Sequence, residues 1–196
     1  VPNLDKRDKQ RMVAIGSGPI RIGQGIEFDY GCVHAVMAIR SAGMDAVLIN
    51  NNPETVSTDF DTSDRLYFDP LTSECVSEIL LREKAHGILL QFGGQTAINL
   101  AQPIEKRLTH LASKGADVQI LGTSVDGIDE ASDRERFESF AKKHGLRMPN
   151  GATGTTADDI RKAVDSIGFP VLIRPSYVLG GGGMVMRPST APQDRG

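Results

Sequence analysis

Tryptophan is absent from the 196 residues, and aromatic side chains of all kinds make up only 5%. Few rings are therefore available to stack on bases. The 22 Lys and Arg against 25 Asp and Glu leave a formal charge of −3 rather than a basic footprint. Together these facts argue for no nucleic acid partner. Long apolar runs are missing too: none approaches the ~18 residues of a membrane span, and the opening lacks a signal-peptide core, so no membrane partner is expected. Only two cysteines occur, Cys32 and Cys75. They form no metal-type spacing, which fits a reducing compartment and a cytoplasmic location. No glycine loop ends in Lys-Ser or Lys-Thr, which removes the Walker class of nucleotide site.

What remains is an ordinary globular composition, 39% hydrophobic and 24% charged, long enough for one domain or slightly more. The chain opens Val1-Pro2, without an initiator Met, and reads as a piece of something longer. Residues 1–11 are polar and read as a linker. From Met12 to Ile15 an apolar run predicts a strand, ended by Gly16-Ser17-Gly18-Pro19. Phe28, Cys32, Val36 and Ile39 recur at helical spacing up to Gly43. Further strands are expected at Ala46–Ile49, Leu66–Phe68, Gly87–Leu90 and Val118–Gly122. Helices are expected from the Thr72 cap to about Lys84, and from Gly93-Gly94 to about Ser113. Strand and helix alternate, so residues 12–123 predict an α/β domain with a parallel sheet.

The composition then shifts. Residues 126–145 are charged and helical, Thr156 and Asp159 are placed like a capping box, and Phe169–Arg174 reads as a buried strand. Four glycines, Gly180 to Gly183, follow, and then a polar tail. A second domain is expected at 124–187, with 188–196 disordered.

Two loops suit phosphate. Gly16–Gly23 follows a strand and precedes a helix, but Arg21 stands where a dinucleotide fingerprint needs its third glycine. The second strand ends in Asn50-Asn51-Asn52 rather than in an acid for the ribose. Both departures point away from a dinucleotide. The second loop, Arg174 to Gly183, sets a permanent cation beside glycines whose amides are free to fold over a polyphosphate. A floppy hairpin with a surface arginine is the competing reading. Acids cluster in loops after strands or at helix starts: Glu27, Asp29, Glu54, Asp59, Asp61 and Asp64. In open α/β sheets such loops hold ligands, although acids there also serve solubility. His34, His86 and His110 have no partner at ligand spacing and read as structural or surface residues.

The stretches GSGPIRIGQGIEFDYGCVHAVMAIRSAG, NNNPETVSTDFDTSDRLYF, QFGGQTAINLA, GTSVDGIDEASDRERF and FPVLIRPSYVLGG, in this order, closely resemble the carbamoyl phosphate synthase large-chain family. RIGQGIEFDY and NPETVSTD are similar to its second half, which phosphorylates carbamate. The resemblance implies a pre-ATP-grasp (Rossmann-like) domain followed by the truncated start of an ATP-grasp domain. It implies ATP contacts at Arg134, Arg174, Gly180 and Gly181, and a carbamate tunnel lined by Glu27 and Glu54.

In the full enzyme it implies ATP with Mg2+ or Mn2+, metal ligands downstream of this chain, and a glutaminase small subunit and the rest of the large chain as partners. It implies a ligase of pyrimidine or arginine biosynthesis that uses bicarbonate and glutamine-derived ammonia. No catalytic residue is expected within the chain, which by itself is expected to be inactive. The alternatives are another ATP-grasp ligase, or a non-catalytic nucleotide- or anion-binding module.

Overall fold

The computed structural model describes residues 9–21, 24–175 and 183–188. Four of the five strands of the larger sheet are short runs of apolar residues: β1 (Arg11–Ile15), β2 (Asp45–Ile49), β4 (Gly87–Leu89) and β5 (Gln119–Leu121). The fifth, β3 (Arg65–Tyr67), lies at an edge and is only half-buried. All pair in parallel, in the order β3-β2-β1-β4-β5. A parallel sheet needs both faces covered, and the alternation within β1 and β2 shows how this is done. Val13, Ile15, Val47 and Ile49 face one core, while Met12, Ala14, Ala46 and Leu48 face the other. Each fully buried Val, Leu or Ile among them contributes about 1.5–3 kcal/mol.

Helix α1 (Glu27–Ser41) covers the second face through Val36 and Ile39. The first face is covered by α2 (Ser73–Glu83), α3 (Gly94–Ile98), α4 (Ala101–Glu105), α5 (Leu108–Ser113) and α6 (Val125–Ser132). The Thr72 hydroxyl caps α2, accepting from the Cys75 amide at 3.3 Å. The helix expected from Gly93 to Ser113 is instead three short helices. Pro103 is the physical reason for the first break: it has no N–H to give the carbonyl of Asn99, so the chain restarts with Pro103 in the first turn of α4. The helix expected over 126–145 also divides. Asp133 is extended at ψ 125° and its carboxylate accepts the Arg136 amide at 2.8 Å, starting α7 (Arg134–Lys143).

At the amino-terminal edge of the sheet lies a fully buried carboxylate, Glu83. Arg11 Nη1 is 3.3 Å from one oxygen, and Arg65 and the Tyr67 hydroxyl both donate to the other. This joins the starts of β1 and β3 to the end of α2. Removing one partner from such a buried pair costs about 3–5 kcal/mol, because the rest is left uncompensated.

The described residues form two compact units: one runs to Arg21 and then from Gly25 to Arg136, the other takes Gln24 and the residues from Phe137 on. The second unit contains most of α7, α8 (Ala157–Ile167) and an antiparallel pair, β6 (Val171–Ile173) with β7 (Val185–Arg187). Thr156 and Asp159 form a complete capping box on α8. The strand expected to be buried before Arg174 is not: Leu172 is 54% exposed, since among the described residues only one neighbouring strand flanks β6.

Candidate functional site

The carboxyl edge of the parallel sheet is where the strand order reverses, between β1 and β4, and where such sheets bind ligands. A dinucleotide would need free amides after β1, but two of them are already engaged. The Gly16 amide donates to the Ile49 carbonyl at 2.8 Å, and the Gly18 amide donates to Asn50 Oδ1 at 3.0 Å. Gly18 has φ +67°, a conformation that glycine adopts without strain. A Cβ on Gly93 would stand 2.5 Å from the carbonyl oxygens of Ile15 and Gly16, and one on Gly94 would meet the Phe28 ring at 2.9 Å. The turn after β4 therefore packs directly on the end of β1.

Beside this turn, three loops are joined by one buried polar chain. Asn50 is fully buried. Its Nδ2 donates to Ser57 Oγ at 3.0 Å, and the Ser57 amide donates to Asp29 Oδ2 at 3.4 Å. Asp29 is 8% exposed, and its other oxygen accepts no hydrogen bond among the described residues. The Asp29 charge, after burial itself, helps to push the Cys32 thiol up to about 12. Asn51 Oδ1 and Gln91 Oε1 are further buried acceptors at this edge without a hydrogen-bond partner among the described residues.

Glu27 and Glu54 both lie in this region. Glu27 is the first residue of α1, exposed, with Oε2 lying where a Cβ of Gly25 would be. Glu54 is exposed, and its amide donates to Asn52 Oδ1 at 3.0 Å. Arg134 opens α7 and is exposed, while its neighbour Arg136 is the arginine that pairs with Asp126 and Asp129. Arg174 directly follows β6 and is exposed. It belongs to the connection that returns to β7 in register Ile173 to Val185. Gly180 and Gly181 lie outside the described residues. A separate cavity of about 330 Å³ between α3–α4 and α6 is lined by none of Glu27, Glu54, Arg134 and Arg174. Among the described residues no three His, Cys, Asp or Glu gather in a way that fits a metal ion.

Asn50 and Ser57 were not legible as site residues. The available signal was an amide placed immediately after the buried run of β2, where a side chain turns inward.

A five-stranded parallel sheet followed by a helix-and-hairpin unit is the α/β architecture of a pre-ATP-grasp domain leading into the start of an ATP-grasp domain. The biotin carboxylase domain of Hydrogenobacter thermophilus 2-oxoglutarate carboxylase, solved with MgADP, ADP and bicarbonate, shares this fold. The TM-score is 0.60 at 21% identity, over 92% of this chain and 38% of that one. Residues 8–130 match the carbamoyl phosphate synthase preATP-grasp domain, and residues 133–192 match the ATP binding domain of the carbamoyl-phosphate synthase L chain. The chain belongs to the carbamoyl phosphate synthase large-chain family, whose members are ATP-dependent ligases. It is 52% identical over 181 residues to the large chain of Methanothrix thermoacetophila and 54% identical over 177 residues to that of Myxococcus xanthus. These alignments take in 92% and 90% of this chain but only 17% and 16% of the two relatives, so it spans about a sixth of their length.

Proposed function

We propose that a protein of the relatives' length carrying this sequence phosphorylates carbamate. A carbamate oxygen attacks the γ-phosphorus of ATP, the bond from that phosphorus to the β–γ bridging oxygen breaks, and carbamoyl phosphate and ADP leave. In this chemistry the protein positions the reactants and neutralises charge rather than forming a covalent intermediate. Arg134 and Arg174 each offer a planar, permanently charged donor fork to the phosphates, and the amides of Gly180 and Gly181 offer neutral donors. Mg2+ or Mn2+ enters with the nucleotide. Carbamate itself derives from bicarbonate and from ammonia that a glutaminase small subunit releases, in the cytoplasm. Glu27 and Glu54 line its passage. Taken alone, the 196 residues are expected to form no carbamoyl phosphate.

The observation that carries this reading is the close joining of the EFDY and NPET segments at the carboxyl edge, where Asp29 receives the Ser57 amide. It brings the segments that bear Glu27 and Glu54 to one edge of the sheet. The test is the ratio of ADP released to carbamoyl phosphate formed by such a large chain supplied with bicarbonate and glutamine. Glu27→Gln and Glu54→Gln are each expected to raise that ratio about threefold or more, because carbamate escapes before it is phosphorylated. An unchanged ratio in both variants overturns the reading.

A further inference from the structure

Glu27 and Glu54 sit on separate segments, and something must hold those segments at a fixed spacing. We propose that Ser57 and Asp29 are positioning residues that set Glu54 against Glu27. This rests on the proposed role of the two acids.

The segment carrying Glu54 is closed on itself. Asn52 accepts the Glu54 amide through Oδ1, and its carbonyl accepts the hydroxyls of Thr58 at 2.8 Å and Thr55 at 3.4 Å. The Thr58 amide donates to the Thr55 carbonyl at 3.2 Å. Residues 52–58 therefore move as one body, with Glu54 on its outer side. Ser57 is the inward-facing joint of that body and is fully buried. Its hydroxyl accepts from Asn50, which is fixed to the β1 loop through the Gly18 amide. Its amide donates to Asp29, two residues beyond Glu27 in the first turn of α1. One serine thus meets both the sheet end and the helix that presents the other acid. At 3.4 Å the second link is long for an N–H···O hydrogen bond and is the weaker of the two, so it depends on an acceptor being held at residue 29.

Breaking the joint leaves both acids chemically intact but lets the Glu54 body swing away from α1. This differs from a stability defect, which lowers all activities together.

The experiment uses a large chain of the relatives' length carrying this sequence, with Asp29→Ala, Asp29→Asn and Ser57→Ala. Hydrogen exchange is read on peptides spanning residues 13–20 and 50–60, and the ADP to carbamoyl phosphate ratio on the same samples. Asp29→Ala is expected to speed exchange in residues 50–60 roughly tenfold and to raise the ratio about threefold. Ser57→Ala keeps its amide bond to Asp29 and loses only the one from Asn50, so it is expected to speed exchange in both peptides with a smaller rise in the ratio. Asp29→Asn keeps an acceptor for the Ser57 amide and is expected to stay near the parent in both readouts. Unchanged exchange in residues 50–60 for Asp29→Ala overturns the proposal, and so does a parent-like ratio in Asp29→Ala while Glu27→Gln raises it. If Glu27→Gln and Glu54→Gln leave the ratio unchanged, the passage reading fails, and the proposed positioning role fails with it, even where exchange quickens.

Discussion

Cys32 is a thiol serving as core filler on the inner side of α1. It is fully buried, its Sγ donates to the Ile15 carbonyl at 3.5 Å, and burial pushes its pKa from 9.0 up to about 12. Because the folded value lies above the unfolded one, its contribution to stability is complete below pH 9. It is lost as pH rises from 9 toward 12. Cys75, in the first turn of α2, is only half-buried. A thiol reagent at pH 8 is therefore expected to label Cys75 and to spare Cys32 until the chain unfolds, counted by intact mass. Two labels on the folded chain would contradict this. Asn50 teaches a different lesson. In the sequence it stands as a missing acid, but in the structure its position needs a group that accepts from Gly18 and donates to Ser57 together. An amide does both at once, accepting through Oδ1 and donating through Nδ2. Pattern reading shows what a residue is not, whereas its partners come from loops 7 and 32 positions away.

Gly93 decides how α3 meets the sheet. Its φ is −86°, so the backbone there suits any residue; the constraint is space, with the carbonyls of Ile15 and Gly16 in the way of a side chain. Gly93→Ala is expected to destabilise the first unit by about 1–3 kcal/mol, the usual cost of overpacking, read as a lower urea midpoint. An unchanged midpoint would mean that the turn yields freely. The strands around this turn were legible to within a residue or two, since buried parallel strands read as uninterrupted apolar runs. The breaks in the helices were not. Periodicity continues straight through Asn99 and Leu100, and Asp133 reads as one more charged helical residue until its carboxylate is seen capping Arg136. The Thr156 capping box was legible, because both of its partners lie within four residues.

Taken by itself, the second unit leaves apolar surface uncovered: Met186 is 69% exposed, and no residue of α8 is buried. The family resemblance was legible because its motifs fall in loops at the carboxyl edge and at helix starts, where chemistry rather than packing fixes the residue type. The roles proposed for Arg134 and Arg174 rest on charge and on their places at the start of α7 and the end of β6. The central claim is that these guanidiniums stabilise phosphate charge during transfer. It is tested most directly by the rate at which a large chain carrying this sequence makes ATP from carbamoyl phosphate and MgADP. Arg174→Ala is expected to lower that rate roughly ten- to hundredfold, the worth of one charge-assisted contact, with the fold intact. A rate equal to the parent's would contradict it.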